Sequence, residues 1–136
     1  MWQDNSDVVT AQTGDIFVSA FQEPLEADGE HRQLWGYCLR IENNSDERIR
    51  LLKKDFCITD SNGHNYFANE YGFHGELPDL EPGEYFEFED TIFLQAQAAV
   101  LYGACVAQTS DGREIKIKLP VMQLTALDEV SKYNYH

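Results

Sequence analysis

Apolar residues recur at every second position along much of this chain. Trp35, Tyr37, Leu39 and Ile41 fall on one parity, opposed by Gly36, Cys38, Arg40 and Glu42. Successive side chains of a strand leave opposite faces, so this alternation predicts a half-buried β-strand. The same pattern sets Phe86 and Phe88 against Glu87 and Glu89, and Ile115, Ile117 and Leu119 against Glu114, Lys116 and Lys118. Weaker strands are predicted over residues 16–23, 49–59, 64–69 and 100–108, the last apolar on both parities and therefore expected at the centre of a sheet. Turn chemistry falls between these runs at Asn43-Asn44-Ser45-Asp46, Asn62-Gly63, Pro82-Gly83 and Asp111-Gly112. Asn-Gly and Asp-Gly suit primed hairpin turns with positive φ at both central residues. Residues 94–101 carry helical propensity and residues 128–135 suit a short C-terminal turn, but no amphipathic helix competes with the strands. About seven antiparallel strands separated by turns predict an all-β sandwich.

Its 136 residues suit one domain, expected over residues 15–125 between an acidic, flexible N-terminal tail at 1–14 and a C-terminal tail at 126–136. The formal net charge of −14 is unevenly spread. Residues 1–30 hold seven acids and no base, residues 61–90 hold eight and no base, and the remaining segments nearly balance. Duplex nucleic acid needs the reverse charge, so no nucleic-acid partner is expected. The longest uncharged stretch, residues 91–110, is too polar for a membrane span. The N-terminus lacks the pattern of a signal peptide, and Cys38, Cys57 and Cys105 have no CxxC pairing. A cytoplasmic protein with reduced thiols is expected.

The most distinctive segment is Glu70-Tyr71-Gly72-Phe73-His74-Gly75-Glu76-Leu77-Pro78, followed by Pro82-Gly83-Glu84. It resembles the G-x-G-V-V-G-x-x-P loop and P-G-E of the ApaG (DUF525) domain family. Residues 35–43 are similar to that family's aromatic strand, and residues 49–63 to its L-L-x-R-x-W-x-I-T strand and hairpin. Residues 111–124 resemble its closing D-G-x-x-F-x-I-x-I-P-x-F-x-L segment. Glu70 stands at the first glycine of the loop motif, and the family's G-x-M-x-G-x-Y becomes Ala99, Leu101, Gly103 and Cys105, of which Gly103 alone keeps the motif, which marks a divergent member of bacterial type. The resemblance implies an immunoglobulin-like or fibronectin-III-like sandwich. It also implies an interaction module, as in eukaryotic proteins that carry the domain, and a link to cobalt resistance and magnesium efflux in bacteria. It implies no enzymatic activity.

The residues themselves leave three readings of the loop. Tyr71, Gly72, Phe73, His74, Gly75, Leu77 and Pro78 can form a contact surface for a protein partner, acting together with an adjacent strand edge. Phe73 or Leu77 can instead plug the end of the sandwich while Gly72 and Gly75 take unusual φ. The glycine spacing also suggests a phosphate or nucleotide binder, although Glu70 and Pro78 oppose it and no helix follows. The acids Glu76, Asp79, Glu81 and Glu84 are oxygen ligands available to magnesium or cobalt if they converge. A solvated strand face, with Glu87 and Glu89 paired to Lys116 and Lys118, is the plainer reading of the acidic run. Asp60-Ser61-Asn62-Gly63 opens like an EF-hand but lacks its later ligands and reads as a hairpin.

His31, His64, His74 and His136 show no zinc spacing, and only His74 lies in the distinctive loop. Arg48, Arg50 and Lys54 share one parity and predict a basic stripe, with Lys54 laying its stem on apolar neighbours and keeping its ammonium wet. No nucleophile motif is present, so no enzyme is expected. The expected role is a noncatalytic protein-interaction module without a cofactor, monomeric or homodimeric through a strand edge. A divalent-cation protein is the alternative, and a nucleotide binder the second alternative.

Overall fold

In strand β3 (Gln33–Asn43), odd-numbered residues are buried and even-numbered ones half-buried, so the predicted pleat is present over its whole length. The computed structural model of the chain describes residues 8–27 and 33–125. Before β3 come β1 (Val9–Thr13) and β2 (Ile16–Ala27), and after it β4 (Ile49–Asp60), β5 (Asn65–Ala68), β6 (Asp79–Leu80), β7 (Tyr85–Leu94), β8 (Ala98–Thr109), β9 (Glu114–Lys118) and β10 (Met122–Thr125). One sheet has the order β1-β2-β3-β7. The other runs β10-β8-β4-β5, with β6 also on β4 and β9 also on β8, and all pairings are antiparallel. The all-β antiparallel sandwich is as expected, and β8 is central as its two-sided apolar pattern predicts. Trp35, Leu39, Phe56, Leu101 and Ile117 meet in the core between the sheets. The Trp35 indole N–H donates to the Thr125 carbonyl at 3.1 Å, which ties β3 to β10.

Three strands lie beyond the seven expected. β1 falls within the predicted N-terminal tail and pairs with β2 from Val9 to Thr13, so that tail does not extend to residue 14. β6 and β10 are too short to show periodicity. Residues 1–7, the C-terminal tail at 126–136, His31, His136 and the predicted turn at 128–135 lie outside the described residues. The helical propensity of 94–101 is overridden: β7 ends at Leu94, residues 95–97 bend, and β8 begins at Ala98. No helix among the described residues is long and apolar enough to cross a membrane.

The turns after Asp60 and Thr109 have the predicted places but not the predicted geometry. Among the described non-glycine residues only His74 has a positive φ, so Asn62 and Asp111 do not, and neither hairpin is primed. Each instead spans three residues closed by a glycine, with Asp60 N–H donating to the His64 carbonyl and Thr109 N–H to that of Arg113. The buried Asp60 carboxylate accepts the amides of Asn62 and His64 and the Tyr66 hydroxyl, so it caps the hairpin.

A β-bulge in β4 overturns the predicted basic stripe. Leu51 pairs with Ala107 but Lys53 pairs with Val106, so Leu52 is an extra residue and the inward parity changes there. Ile49 and Leu51 face the core before the bulge, and Phe56 and Ile58 after it. Arg50 therefore stays in solvent while Lys54 turns inward and is 4% exposed, its ammonium not wet as expected. Glu87 and Glu89 do not pair with Lys116 and Lys118, because β7 and β9 belong to different sheets. Glu87 is 3.6 Å from Arg40 instead.

Candidate functional site

Between β5 and β6 the chain runs back along the edge of β4. Lys54 N–H donates to the Glu70 carbonyl at 2.9 Å, Gly72 N–H to that of Leu52 at 2.6 Å, and Leu51 N–H to that of Pro78 at 2.9 Å. The glycine loop thus covers the stretch of β4 edge that neither β5 nor β6 pairs. Its tip is a tight turn in which Phe73 and Glu76 exchange both backbone hydrogen bonds. The central residues, His74 at φ 53° and Gly75 at φ 83°, satisfy the φ requirement of a type I′ turn. Gly72 has φ 81°, and a Cβ there would lie 3.1 Å from the Glu76 carbonyl oxygen, so a side chain meets both strain and crowding.

This backbone divides the loop into two faces. Phe73 points inward, is 1% exposed, and packs edge-on against Phe86 and Phe88 at centroid distances of 5.7 and 5.3 Å. It is the plug of the sandwich's open side, so the expectation that it belongs to a contact surface does not hold. His74 reaches the opposite sheet: its ring stacks on Phe88 at 4.6 Å, and Nε2 lies 3.0 Å from the Glu89 carbonyl oxygen. A carbonyl only accepts, so Nε2 carries the proton. Tyr71 and Leu77 face solvent, 71% and 42% exposed, with Gly75 and Glu76 exposed beside them and Pro78 half-buried. Beside Tyr71 the bulge leaves a hollow of about 350 Å³ lined by Leu52, Val106, Lys53 and Lys116.

Beneath the loop lies a buried cation. Lys54 Nζ is 2.8 Å from Glu70 Oε1 and 4.8 Å from the centroid of Phe88, with the Lys54 side chain 5% and that of Glu70 67% exposed. The hydrogen bond and charge of Lys54 hold the Glu70 carboxyl below its ordinary range. Burial, with the charges of Asp90 and Glu70, raises the Tyr37 hydroxyl and keeps it neutral. Cys105, paired to Lys54 across the ladder, is pushed up to about 12 by burial, which Lys54 opposes without overcoming. Its thiol is no nucleophile at neutral pH. The Lys54–Glu70 pair escaped the sequence reading because its partners are 16 positions apart and the bulge reverses the parity of Lys54. The adjacent apolar residues Leu51 and Leu52 were the available sign of that reversal.

The four acids proposed for a cation do not gather. Arg50 grips Asp79 with two hydrogen bonds of 2.9 and 3.0 Å, and Glu84 accepts the Glu81 amide at 2.8 Å. Among the described residues no three His, Cys, Asp or Glu side chains converge to hold a metal. The amides of Gly72, Phe73 and Glu76 are already donated within the protein, so these three are not open to a phosphate.

The ApaG domain model (DUF525) matches residues 24–109, which include the whole loop. The chain belongs to the ApaG family. A Protein ApaG of Brucella canis is 34% identical over 111 residues, covering 81% of this chain and 85% of that protein. The Protein ApaG of Parvibaculum lavamentivorans is 31% identical over 118 residues, covering 85% and 91%. The crystal structure of a putative ApaA protein from Bordetella pertussis superposes with a TM-score of 0.79 at 21% identity, covering 83% of this chain and 94% of that one, a likeness of fold. Glu70, which opens the glycine loop inside the matched region, is the counter-ion of the buried lysine.

Proposed function

We propose that this ApaG chain is a noncatalytic module that contacts another protein through the outer face of its glycine loop. One observation carries the reading: the loop backbone is fixed to β4 by three hydrogen bonds and to β7 by His74, yet Tyr71 and Leu77 remain in solvent. Aromatic and aliphatic side chains held ready on a rigid backbone lose little conformational entropy on binding. Tyr71 also walls the hollow over Leu52 and Val106, which gives a partner's apolar side chain a place to enter. The raised Cys105 thiol and the committed carboxylates favour contact over chemistry.

The test compares Tyr71→Ala with Leu77→Ser, singly and together, against the full chain in partner capture from cell lysate and in thermal melts. Loss of a specific captured partner with an unchanged melt supports the reading. The same partner captured equally by the double variant overturns it.

A further inference from the structure

The outer face of the four-stranded sheet carries a second surface, independent of the loop. Here β2, β3 and β7 present Phe21, Glu23, Leu25, Gly36, Cys38, Glu89 and Thr91 around a hollow of about 390 Å³. The hollow exists because Gly36 supplies no side chain between two large aromatic residues of β3, Trp35 and Tyr37, which point into the core. A Cβ there would come within 3.3 Å of Leu25 Cδ1. Leu25 itself lies where the β2 register shifts between Pro24 and Glu26 and is 41% exposed. Further along the same face stand Phe17, Tyr85 and Phe93, 38%, 52% and 52% exposed. So much apolar surface on one face of a sheet marks an interaction site.

Among the described residues, the charges on this face that lack an ion-pair partner are acidic. Glu23 lies across from Gly36, and Glu89 across from Cys38, so two carboxylates flank the hollow diagonally. Neither forms an ion pair with a described residue. Arg40, the one described base on the face, is occupied by Glu42, Glu87 and the ring of Tyr85. The Cys38 thiol registers the resulting field, raised to about 11 by burial and by Glu89, Glu87 and Glu23. A second copy of the chain fits poorly, because two-fold pairing of this face sets acids against acids.

We propose that this face docks a basic polypeptide segment in which lysine or arginine alternates with apolar residues. An apolar side chain enters over Gly36 and Leu25 while flanking cations meet Glu23 and Glu89. Charge complementarity and an apolar floor select for both properties together.

The test uses the full chain and a short fluorescein-labelled peptide alternating lysine with leucine, read by fluorescence anisotropy. Two control peptides replace leucine with serine, which keeps the charge, or lysine with glutamate. The lysine-leucine peptide is expected to bind more tightly than both. The double variant Glu23→Gln/Glu89→Gln should weaken it about tenfold, and Gly36→Val, which fills the floor, should weaken it with a melt close to wild type. Tyr71→Ala should leave the affinity unchanged, which separates this site from the loop. Equal binding of the serine peptide, or undiminished affinity in the Glu23→Gln/Glu89→Gln variant, overturns the proposal. A melt collapse in Gly36→Val leaves the decision with the glutamine double variant.

Discussion

Two ion pairs join strand β4 to the segment that follows β5, and they share little beyond their charges. Arg50 and Asp79 lie on the surface, with side chains 47% and 40% exposed. Lys54 and Glu70 bridge the same two segments, but there the cation is almost wholly inside while the anion stands mostly in water. The residue that separates their fates is Leu52, whose bulge reverses the parity of the strand between them. A surface pair contributes little because water solvates both partners nearly as well when they are apart. A buried ammonium has no such alternative, so removing its counter-ion leaves an uncompensated charge. The glycine loop is fastened on the buried side of this comparison, where Glu70 begins it and Phe73 plugs it.

The largest effect should come from the plug. Phe73→Ala removes a ring packed on Phe86 and Phe88 and is expected to cost about 4 kcal/mol in urea unfolding. Next comes Glu70→Gln, expected to cost about 2 kcal/mol, less than a fully buried pair because Glu70 is itself mostly solvated. Lys54→Met sharpens the contrast: it removes the buried charge, keeps the volume and leaves Glu70 in water, so stability should stay within about 1 kcal/mol of wild type or rise. If the two halves of this pair were equivalent, both substitutions would cost the same. The smallest effect belongs to Arg50→Ala, whose melt should nearly coincide with wild type.

The pH dependence follows from the same pair. The folded Glu70 carboxyl is held below its ordinary value of 4.5 by Lys54. Its contribution is therefore complete above about pH 4.5 and is lost as pH falls through the lower folded value. The stability difference between wild type and Glu70→Gln should be constant near neutrality and shrink on acidification. Urea melts from neutral pH to about pH 3 test this.

The strands and the loop differ in how much of them the sequence disclosed. β3, β7 and β9 were legible because each has one wet and one dry face, and that difference writes period two into the residues. β1 also alternates, with Val9 and Ala11 half-buried against exposed Thr10 and Gln12, but it follows an acidic segment that reads as a tail. In the loop, glycine spacing located the turn and allowed Phe73 as a plug, yet it did not fix which residues face out. That depends on the type I′ turn at His74 and Gly75 and on the bulge across from it, both set by pairing with a strand distant in sequence. Asn43 was legible as a turn residue but not as a buried one. Its side-chain amide donates to the nearby Glu47 carbonyl and to that of Leu80, 37 positions away, and no local pattern encodes the second bond.

The glycine loop is a fixed part of the sandwich edge, which carries Tyr71 and Leu77 in solvent on a tethered backbone. Native-state hydrogen exchange at the amides of Gly72 and Lys54 tests it most directly, because each donates across the join between loop and strand. Exchange as slow as in the paired core strands, and faster in Glu70→Gln, is the predicted result. Rapid exchange at Gly72 and Lys54 in the wild-type chain, like that of a solvated loop, would contradict it.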